Sequence, residues 1–350
     1  MHRTFRALIL FIVLVNILTA CSSEGTKQNK SSNNNQQATA TTGLNKEETT
    51  QKERNTDTSY LAEVFADLGG ASTGGIAFDD GVMYVAKEGK EILKVMPDGS
   101  FSTLCSIRDL PKGDIKSDPH MSFESPFIWD MVIGKDRNIY AAAADRILKI
   151  SMDGKVTTLI KDNFGGLFGA SGIDIDNNGN IYVTDGCNIN KYTRLLQKLV
   201  FIDGTKIQID DSNPLTYAFS LKFDPDCKNL YVGNRGPDGI LKFPINSDGT
   251  PGKASIITQK TVTCPHTLAF DTNGNIYACP GHSGVVLFCD QGGKQKFYIA
   301  NTEIDNATFA FGNKSFGENT LYITSLTSGK VYKYDLNNKN LKIQDDFSLE

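Results

Sequence analysis

Six copies of one short pattern constrain the fold of this chain more than any other feature of its sequence. Each copy has an apolar run ending near an aspartate, a turn of Asp, Asn, Gly or Lys, and a second apolar run containing tyrosine. The copies occupy residues 75–88, 130–144, 172–185, 220–234, 267–280 and 308–325. Their tyrosines are Tyr84, Tyr140, Tyr182, Tyr231, Tyr277 and Tyr322. A regular spacing of this kind is typical of folds built from stacked repeats.

The repeated unit is longer than one hairpin. Turns such as DNNGN and DTNGN supply the positive-φ residues that tight hairpins need. A third apolar run follows each hairpin, as in EILKV and RILKI, and then a fourth with alternating β-branched residues, as in VTTLI. Four antiparallel strands in every unit of roughly 45 residues form the blade of a β-propeller. We therefore predict an all-β domain over residues 60–350, a six-bladed β-propeller of four-stranded antiparallel blades.

A propeller must also close its ring, because the first and last blades otherwise leave open sheet edges. Residues 60–68, YLAEVFADL, have the pattern of an outer strand that precedes the first hairpin. We predict that this strand completes the blade that begins near Asn306. The carboxy-terminal stretch LKIQDD competes for the same place.

The first 20 residues have the features of an export signal. Arg3 and Arg6 precede an apolar stretch over residues 7–18, which is too short for a spanning helix. The stretch ends in LTAC, which resembles the lipobox of bacterial lipoproteins. That resemblance implies cleavage before Cys21 and acylation of its thiol by a diacylglycerol of palmitate type, so the bilayer is an expected partner. The alternative is an ordinary secretory signal in which Cys21 is incidental.

Residues 21–59 contain almost no large apolar side chain, so burial cannot offset their conformational entropy. We interpret them as a flexible tether with an average reach of roughly 35 Å. The chain has a net charge of −4 and no basic run, which argues against a nucleic-acid partner. We expect a bacterial membrane lipoprotein on the extracytoplasmic side, divided into a signal (1–20), a lipid-anchored linker (21–59) and a propeller (60–350).

Two cysteines and two histidines flank the fifth hairpin. Strands that pair about the turn at Asn273-Gly274 bring residue 264 near 282 and residue 267 near 279, so Cys264, His266, Cys279 and His282 should be near neighbours. Two thiolates and two imidazoles are ligands that zinc prefers. Three interpretations stay open here, namely a metal site, a disulfide between Cys264 and Cys279 in an exported protein, and unlinked, partly buried side chains.

The stretches 221–254, 267–278 and 309–325 resemble the six-bladed family of senescence-marker protein (SMP-30) and gluconolactonase, and with lower specificity the NHL-repeat propellers. The resemblance implies lactone hydrolysis with a divalent cation, such as calcium or zinc, in the central channel. Counted back from the end of each inner strand, the family's ligand positions are Gly74, Trp129, Ser171, Phe219, His266 and Ala307. Gly74, Phe219 and His266 stand where the family has Glu, Asn and Asp, so this set lacks the carboxylates that a hard cation prefers.

Two functions remain on these grounds. The first is a ligand- or protein-binding module that recognises a small molecule or an envelope protein at one end of the channel, through Trp129, Ser171, Phe219 and His266. The second is a lactone or ester hydrolase with a rebuilt site. Its candidate groups are His266 as base and Asp130, Glu88 or Asp185 as carboxylate, and the long connection over residues 106–127 adds Asp118, His120 and Glu124.

Overall fold

The computed structural model describes residues 61–70, 73–113, 126–165, 169–210, 213–214, 217–234, 239–258, 265–279, 285–290, 294–299, 308–325, 327–340 and 343–344. The predicted signal, Cys21 and the predicted linker lie outside these ranges, so the proposed division of the chain stays a prediction. Among the described residues, no helix is long and apolar enough to cross a membrane.

Six antiparallel sheets follow one another along the chain and confirm the predicted six-bladed propeller. Strand β1 (Glu63–Asp67) comes first in the chain but belongs to the last blade. Blade 1 consists of β2 (Thr73–Asp79), β3 (Val82–Lys87), β4 (Glu91–Val95) and β5 (Phe101–Ser106). Blade 2 consists of β6 (Asp130–Ile133), β7 (Ile139–Ala142), β8 (Arg146–Ile150) and β9 (Val156–Lys161). Blade 3 consists of β10 (Ile173–Ile175), β11 (Ile181–Asp185), β12 (Asn188–Tyr192) and β13 (Lys198–Ile202).

The second half of the chain repeats this plan after a short insertion. A 3₁₀ turn (Gly204–Lys206) and a small hairpin, β14 (Gln208–Asp210) with β15 (Asn213–Pro214), precede blade 4. Blade 4 consists of β16 (Ala218–Phe223), β17 (Asn229–Asn234), β18 (Gly239–Pro244) and β19 (Ser255–Ile256). Blade 5 consists of β20 (Leu268–Phe270), β21 (Ile276–Ala278), β22 (Val285–Cys289) and β23 (Gln295–Ile299). Blade 6 contains β24 (Thr308–Phe311), β25 (Thr320–Thr324) and β26 (Lys330–Asp335).

The ring closes through β1, as the sequence predicted. Strand β1 pairs antiparallel with β26, with Glu63 opposite Lys333 and Asp67 opposite Lys330, and so becomes the outer strand of blade 6. The competing carboxy-terminal stretch forms β27 (Ile343–Gln344), which adds a fifth strand to blade 5 by pairing with β23. The inner strands contact one another in the order β2, β6, β10, β16, β20, β24 and return to β2.

The propeller has two ends, which we name by their connections. At the turn end lie the hairpins between the first and second strands of each blade and, in blades 1 to 5, the hairpins between the third and fourth strands. At the mouth end lie the connections from one blade to the next. Aspartates of the repeat shape the turn end. Asp176 Oδ1 accepts the backbone N–H groups of Asn178 and Asn180, and Asp271 does the same for Asn273 and Asn275.

The repeated tyrosines connect neighbouring blades. Tyr182 of blade 3 packs edge-on against Phe223 of blade 4, with ring centroids 4.8 Å apart. Equivalent contacts join Tyr231 to Phe270, Tyr277 to Phe311 and Tyr322 to Phe78, at 4.9, 5.0 and 5.5 Å. Each such pair adds about 1 kcal/mol beyond simple burial. The tyrosine that marks the repeat in the sequence is therefore the residue that fastens each of these blades to the next.

Candidate functional site

The inner strands enclose a cavity of about 240 Å³ in the central channel. Its lining comes from blades 1, 2, 4, 5 and 6 and includes Ile76, Asp130, Ser220, Lys222, Thr267, Leu268, Phe309 and Ala310. Most of these side chains are apolar or hydroxylic. The exceptions are Asp130 and Lys222, which bring two opposite charges into the channel.

Asp130, the first residue of β6, is held by backbone donors. Its Oδ1 accepts the N–H of Met131 at 2.8 Å, and its Oδ2 accepts the N–H of Ile173 in the next blade at 3.2 Å. Burial raises the pKa of this carboxyl from 3.8 to about 6, although the nearby Lys222 ammonium acts in the opposite direction. Asp130 was a candidate from the sequence, and the structure places it in the channel wall with a pKa suited to proton exchange near neutral pH.

Asp174 and Lys222 form an ion pair between the inner strands of blades 3 and 4. Lys222 Nζ lies 3.2 Å from Asp174 Oδ1, and Asp174 Oδ2 accepts the backbone N–H of Phe223 at 2.8 Å. Asp174 is 7 % exposed, whereas the Lys222 side chain keeps 34 % of its surface accessible, because the channel around it is open. Burial alone would lower the pKa of Lys222, but the charges of Asp174 and Asp130 outweigh it and raise that pKa.

Asp174 and Lys222 were not predicted as site residues from the sequence, although the repeats contain a signal for them. The third residue of the repeat copy is alanine in blades 1, 5 and 6, as Ala77, Ala269 and Ala310, and valine in blade 2. In blades 3 and 4 it is Asp174 and Lys222. Two charged residues at a position that is otherwise small and apolar indicate a polar contact inside the ring.

An aromatic layer lies one residue further toward the mouth end. Trp129, Phe219 and His266 immediately precede the cavity residues Asp130, Ser220 and Thr267 in the chain. The rings of Phe219 and His266 stack at 4.2 Å with an interplanar angle of 22°. Phe127 packs on Trp129 at 4.6 Å and Tyr217 lies 6.2 Å from Phe219. Trp129 and Phe219 are only 7 % and 5 % exposed, so these rings are packed in place by their neighbours.

Ser171, another predicted binding residue, has a structural role in this geometry. Its side chain is 4 % exposed, and its hydroxyl donates to the carbonyl of Phe219 at 2.9 Å. Similar bonds join other blades, from Ser220 to the carbonyl of Pro265 and from Thr308 to the carbonyl of Gly74. These hydroxyls fix the spacing of adjacent inner strands around the channel.

The residues at the family's metal positions do not fit a hard divalent cation. Gly74 offers no side chain, and a Cβ at this position would lie 3.0 Å from the carbonyl oxygen of Ile128. Phe219 and His266 stack on each other. Within the described ranges, no group of three or more His, Cys, Asp or Glu side chains is arranged to hold a metal ion.

The other candidates from the sequence lie away from the cavity. Glu88 pairs with Arg108 at 2.8 Å, and Asp185 accepts hydrogen bonds from the backbone of Gly165 and from Asn190. The backbone N–H of His266 donates to the carbonyl of Cys279 at 3.1 Å, as the hairpin predicted. Cys264, His282, Asp118, His120, Glu124 and Ala307 lie outside the described residues, so the metal and disulfide interpretations stay untested.

Sequence comparison gives the same family as the repeats. Residues 110–327 match the family model described as the SMP-30/gluconolactonase/LRE-like region, which is more than half of the chain. The chain belongs to this family. No curated protein matches it significantly.

Solved structures agree on the fold. A gluconolactonase from Xanthomonas campestris superposes with a TM-score of 0.57 at 15 % identity, over 79 % of this chain and 88 % of its own. A streptogramin B lyase gives 0.52 at 14 % identity, over 81 % and 98 % of the two chains. An auxiliary nutrient binding protein from Bacteroides thetaiotaomicron gives 0.56 at 11 % identity, over 79 % and 70 %. Identities this low establish the propeller fold alone.

Proposed function

We propose that this chain is an extracytoplasmic binding protein, held to a bacterial membrane through Cys21, whose propeller takes a small polar organic molecule in its central channel. The observation that carries the proposal is the cavity of about 240 Å³ whose mostly apolar lining includes the charged residues Asp130 and Lys222. Apolar walls with a few convergent polar groups are typical of small-molecule sites. The stacked rings of Phe219 and His266 stand at the mouth end of this cavity.

The charges of the site indicate the chemistry of the ligand. Lys222 is already paired with Asp174, so Asp130 is the carboxylate whose charge is least compensated. A ligand that donates hydrogen bonds to Asp130 would stabilise its ionised form. A hydroxyl or amino compound of a few carbon atoms meets this requirement and fits the cavity volume.

One observation favours binding over metal-dependent lactone hydrolysis. Gly74 and Phe219 cannot ligate a metal through their side chains, and these stand where the family has Glu and Asn. The nutrient binding protein among the structural neighbours supports a binding role for this architecture, while the gluconolactonase supports the alternative. The choice between the two functions therefore depends on the side chains at the metal positions of the channel, and not on the fold.

The test is a thermal-shift and calorimetric screen of small amino acids, polyols, hydroxy acids and lactones. Lys222→Met removes the ammonium from the cavity, and Ala310→Leu fills the cavity without changing its charge. We expect both to weaken the best compound at least about tenfold, which corresponds to about 1.4 kcal/mol. Lys333→Met, at an exposed position on β26, is the matched control and should bind normally.

Lys222→Met leaves Asp174 buried without its ammonium partner, so it can weaken binding by destabilising the fold. Ala310→Leu tests the same cavity without removing a charge. Normal binding by Ala310→Leu would place the ligand outside the channel and contradict the proposed site. A stoichiometric divalent cation in the purified protein, together with lactone hydrolysis that chelation abolishes, would favour the hydrolase instead.

A further inference from the structure

The turn between the third and fourth strands of blade 3 departs from a pattern that blades 1, 2 and 4 share. The turns between the third and fourth strands of blades 1 to 4 share the same two backbone hydrogen bonds. At their tips, blades 1, 2 and 4 carry Asp98-Gly99, Asp153-Gly154 and Asp248-Gly249. Blade 3 carries Leu195-Leu196. The turn of blade 3 nevertheless has the same backbone conformation. The dihedral angle φ is +82°, +91° and +78° at the three glycines, and it is +59° at Leu196.

Neither leucine contributes to the stability of the propeller by itself. A positive φ is unfavourable for leucine, since its Cβ approaches the following carbonyl, whereas glycine adopts it freely. Leu195 is 82 % exposed and Leu196 is 41 % exposed, so packing within the propeller does not compensate. Backbone strain that the fold does not need is a feature of functional sites.

The two leucines belong to a wider asymmetry of the propeller. The large apolar side chains that are exposed among the described residues are Val64, Met96, Phe101, Leu195, Leu196, Leu199 and Val200. They lie in turns at the turn end or in the part of an outer strand that begins there, on β1, β5 and β13. The cavity with Lys222 opens among the inner strands, away from these residues.

The chain joins the propeller at this same end. Strand β1 starts at the turn end, because Glu63 pairs with Lys333 near the end of β26 and Asp67 pairs with Lys330 at its start. The 60 residues before Leu61 include Cys21, the predicted acylation site, and the predicted tether. The predicted tether therefore enters the propeller at the end that carries the exposed leucines, and the inference rests on the proposed membrane anchor at Cys21.

We propose that the turn end of the propeller rests on the lipid bilayer, with Leu195 and Leu196 inserted among the lipid chains. The exposed Arg194 beside them is placed to meet lipid phosphates. The same turn end carries many aspartates, Asp98, Asp153 and Asp248 among them, so we expect insertion of leucine to drive contact, and charge attraction to contribute little. The mouth end then faces away from the membrane.

The experiment uses the full chain reconstituted in phosphatidylcholine vesicles with brominated acyl chains, which quench indole fluorescence on contact. Leu195→Trp places an indole at the tip of the turn. Asp248→Trp places one at the equivalent tip of blade 4 as the matched control. Both tips are exposed, so neither variant threatens folding, and the single native tryptophan, Trp129, is buried and contributes the same background to both.

We expect a blue shift and a loss of fluorescence intensity for Leu195→Trp on reconstitution, and water-like, unquenched emission for Asp248→Trp. Replacement of the turn by that of the other blades, Leu195→Asp with Leu196→Gly, should reduce the protection of residues 193–200 from hydrogen exchange in vesicles. Unquenched emission at both tips in the vesicle-bound chain would overturn the proposal. So would protection of the turn that depends on protein concentration and not on lipid, because a second copy would then cover the leucines.

Discussion

Three charged side chains account for the polarity of the channel, and each stands where other blades have a small or apolar residue. Asp130 occupies the first position of its repeat copy, where blades 1 and 3 have Gly75 and Gly172. Asp174 and Lys222 occupy the third position, where alanine is the rule. Charges are rarely buried without a partner. Here Asp174 pairs directly with Lys222, whereas Asp130 is held by two backbone N–H groups and by the more distant charge of Lys222.

The raised pKa of Asp130 predicts how stability depends on pH. Because that pKa is 3.8 in its ordinary state and about 6 in the fold, folding favours the protonated carboxyl. This contribution is complete below pH 4 and is lost as the pH rises through 6. Relative to Asp130→Asn, the wild type should lose about 2 kcal/mol of unfolding free energy between pH 4 and pH 7.5.

Urea unfolding of both proteins at several pH values measures this difference. The comparison uses the change with pH and not the absolute stability, because an asparagine at this position also loses one of the two backbone hydrogen bonds. A difference that stays constant from pH 4 to pH 7.5 would show that Asp130 is ionised throughout, and the channel would then lack a titrating group near neutrality.

At the scale of the element, glycine and hydroxyl residues determine the spacing between adjacent inner strands. Gly75 is buried, and a Cβ there would lie 3.0 Å from the backbone of Asp130 and Met131 in the next blade. Gly172 meets the backbone of Ser220 in the same way. These glycines let adjacent inner strands approach more closely than any side chain would permit, which keeps the channel narrow.

We predict that Gly75→Ala destabilises the propeller by about 2 kcal/mol, because rigid backbone and not a flexible side chain opposes the new methyl group. Gly165→Ala is the control, since Gly165 is exposed and its nearest neighbour is the end of the Asp185 side chain at 3.1 Å. Chemical denaturation of both variants measures the effect. Equal stabilities would mean that the inner strands separate freely, and the channel geometry would not be fixed by Gly75.

The blades and the strand that closes the ring could be predicted from the sequence, but the polar contact inside the ring could not. The turns with Asp, Asn and Gly, the strand lengths and the tyrosine spacing each report local chemistry, and they identified six blades and the role of residues 60–68. They did not identify the contact of Lys222 with Asp174, because these residues are 48 positions apart and meet only when the ring is formed. They also did not identify where β27 would pair. Its pairing with β23 of blade 5, and not with the edge of blade 6, again depends on contacts that are distant in the sequence.

At the scale of the whole molecule, ring closure joins residues that are far apart in the sequence. Strand β1 brings the beginning of the domain to its last blade, where Ala66 and Leu68 are buried with Val331. Closure therefore fixes the end of the propeller at which the amino-terminal connection enters, which is the turn end. The proposed membrane contact lies in a turn beside an outer strand, whereas the cavity lies among the inner strands.

The last prediction concerns how the molecule is retained at the membrane. Two acyl chains on Cys21 would bury many methylene groups at about 0.8 kcal/mol each, whereas Leu195 and Leu196 offer two side chains and weak, reversible contact. We therefore expect Cys21→Ser to release the protein from the membrane fraction, and the variant Leu195→Asp with Leu196→Gly to remain bound. Fractionation with mass analysis of the mature amino terminus provides the measurement. Should Cys21→Ser be processed and still sediment with membranes, or should the wild type begin downstream of Cys21 without lipid, the anchor would have to lie elsewhere in the chain.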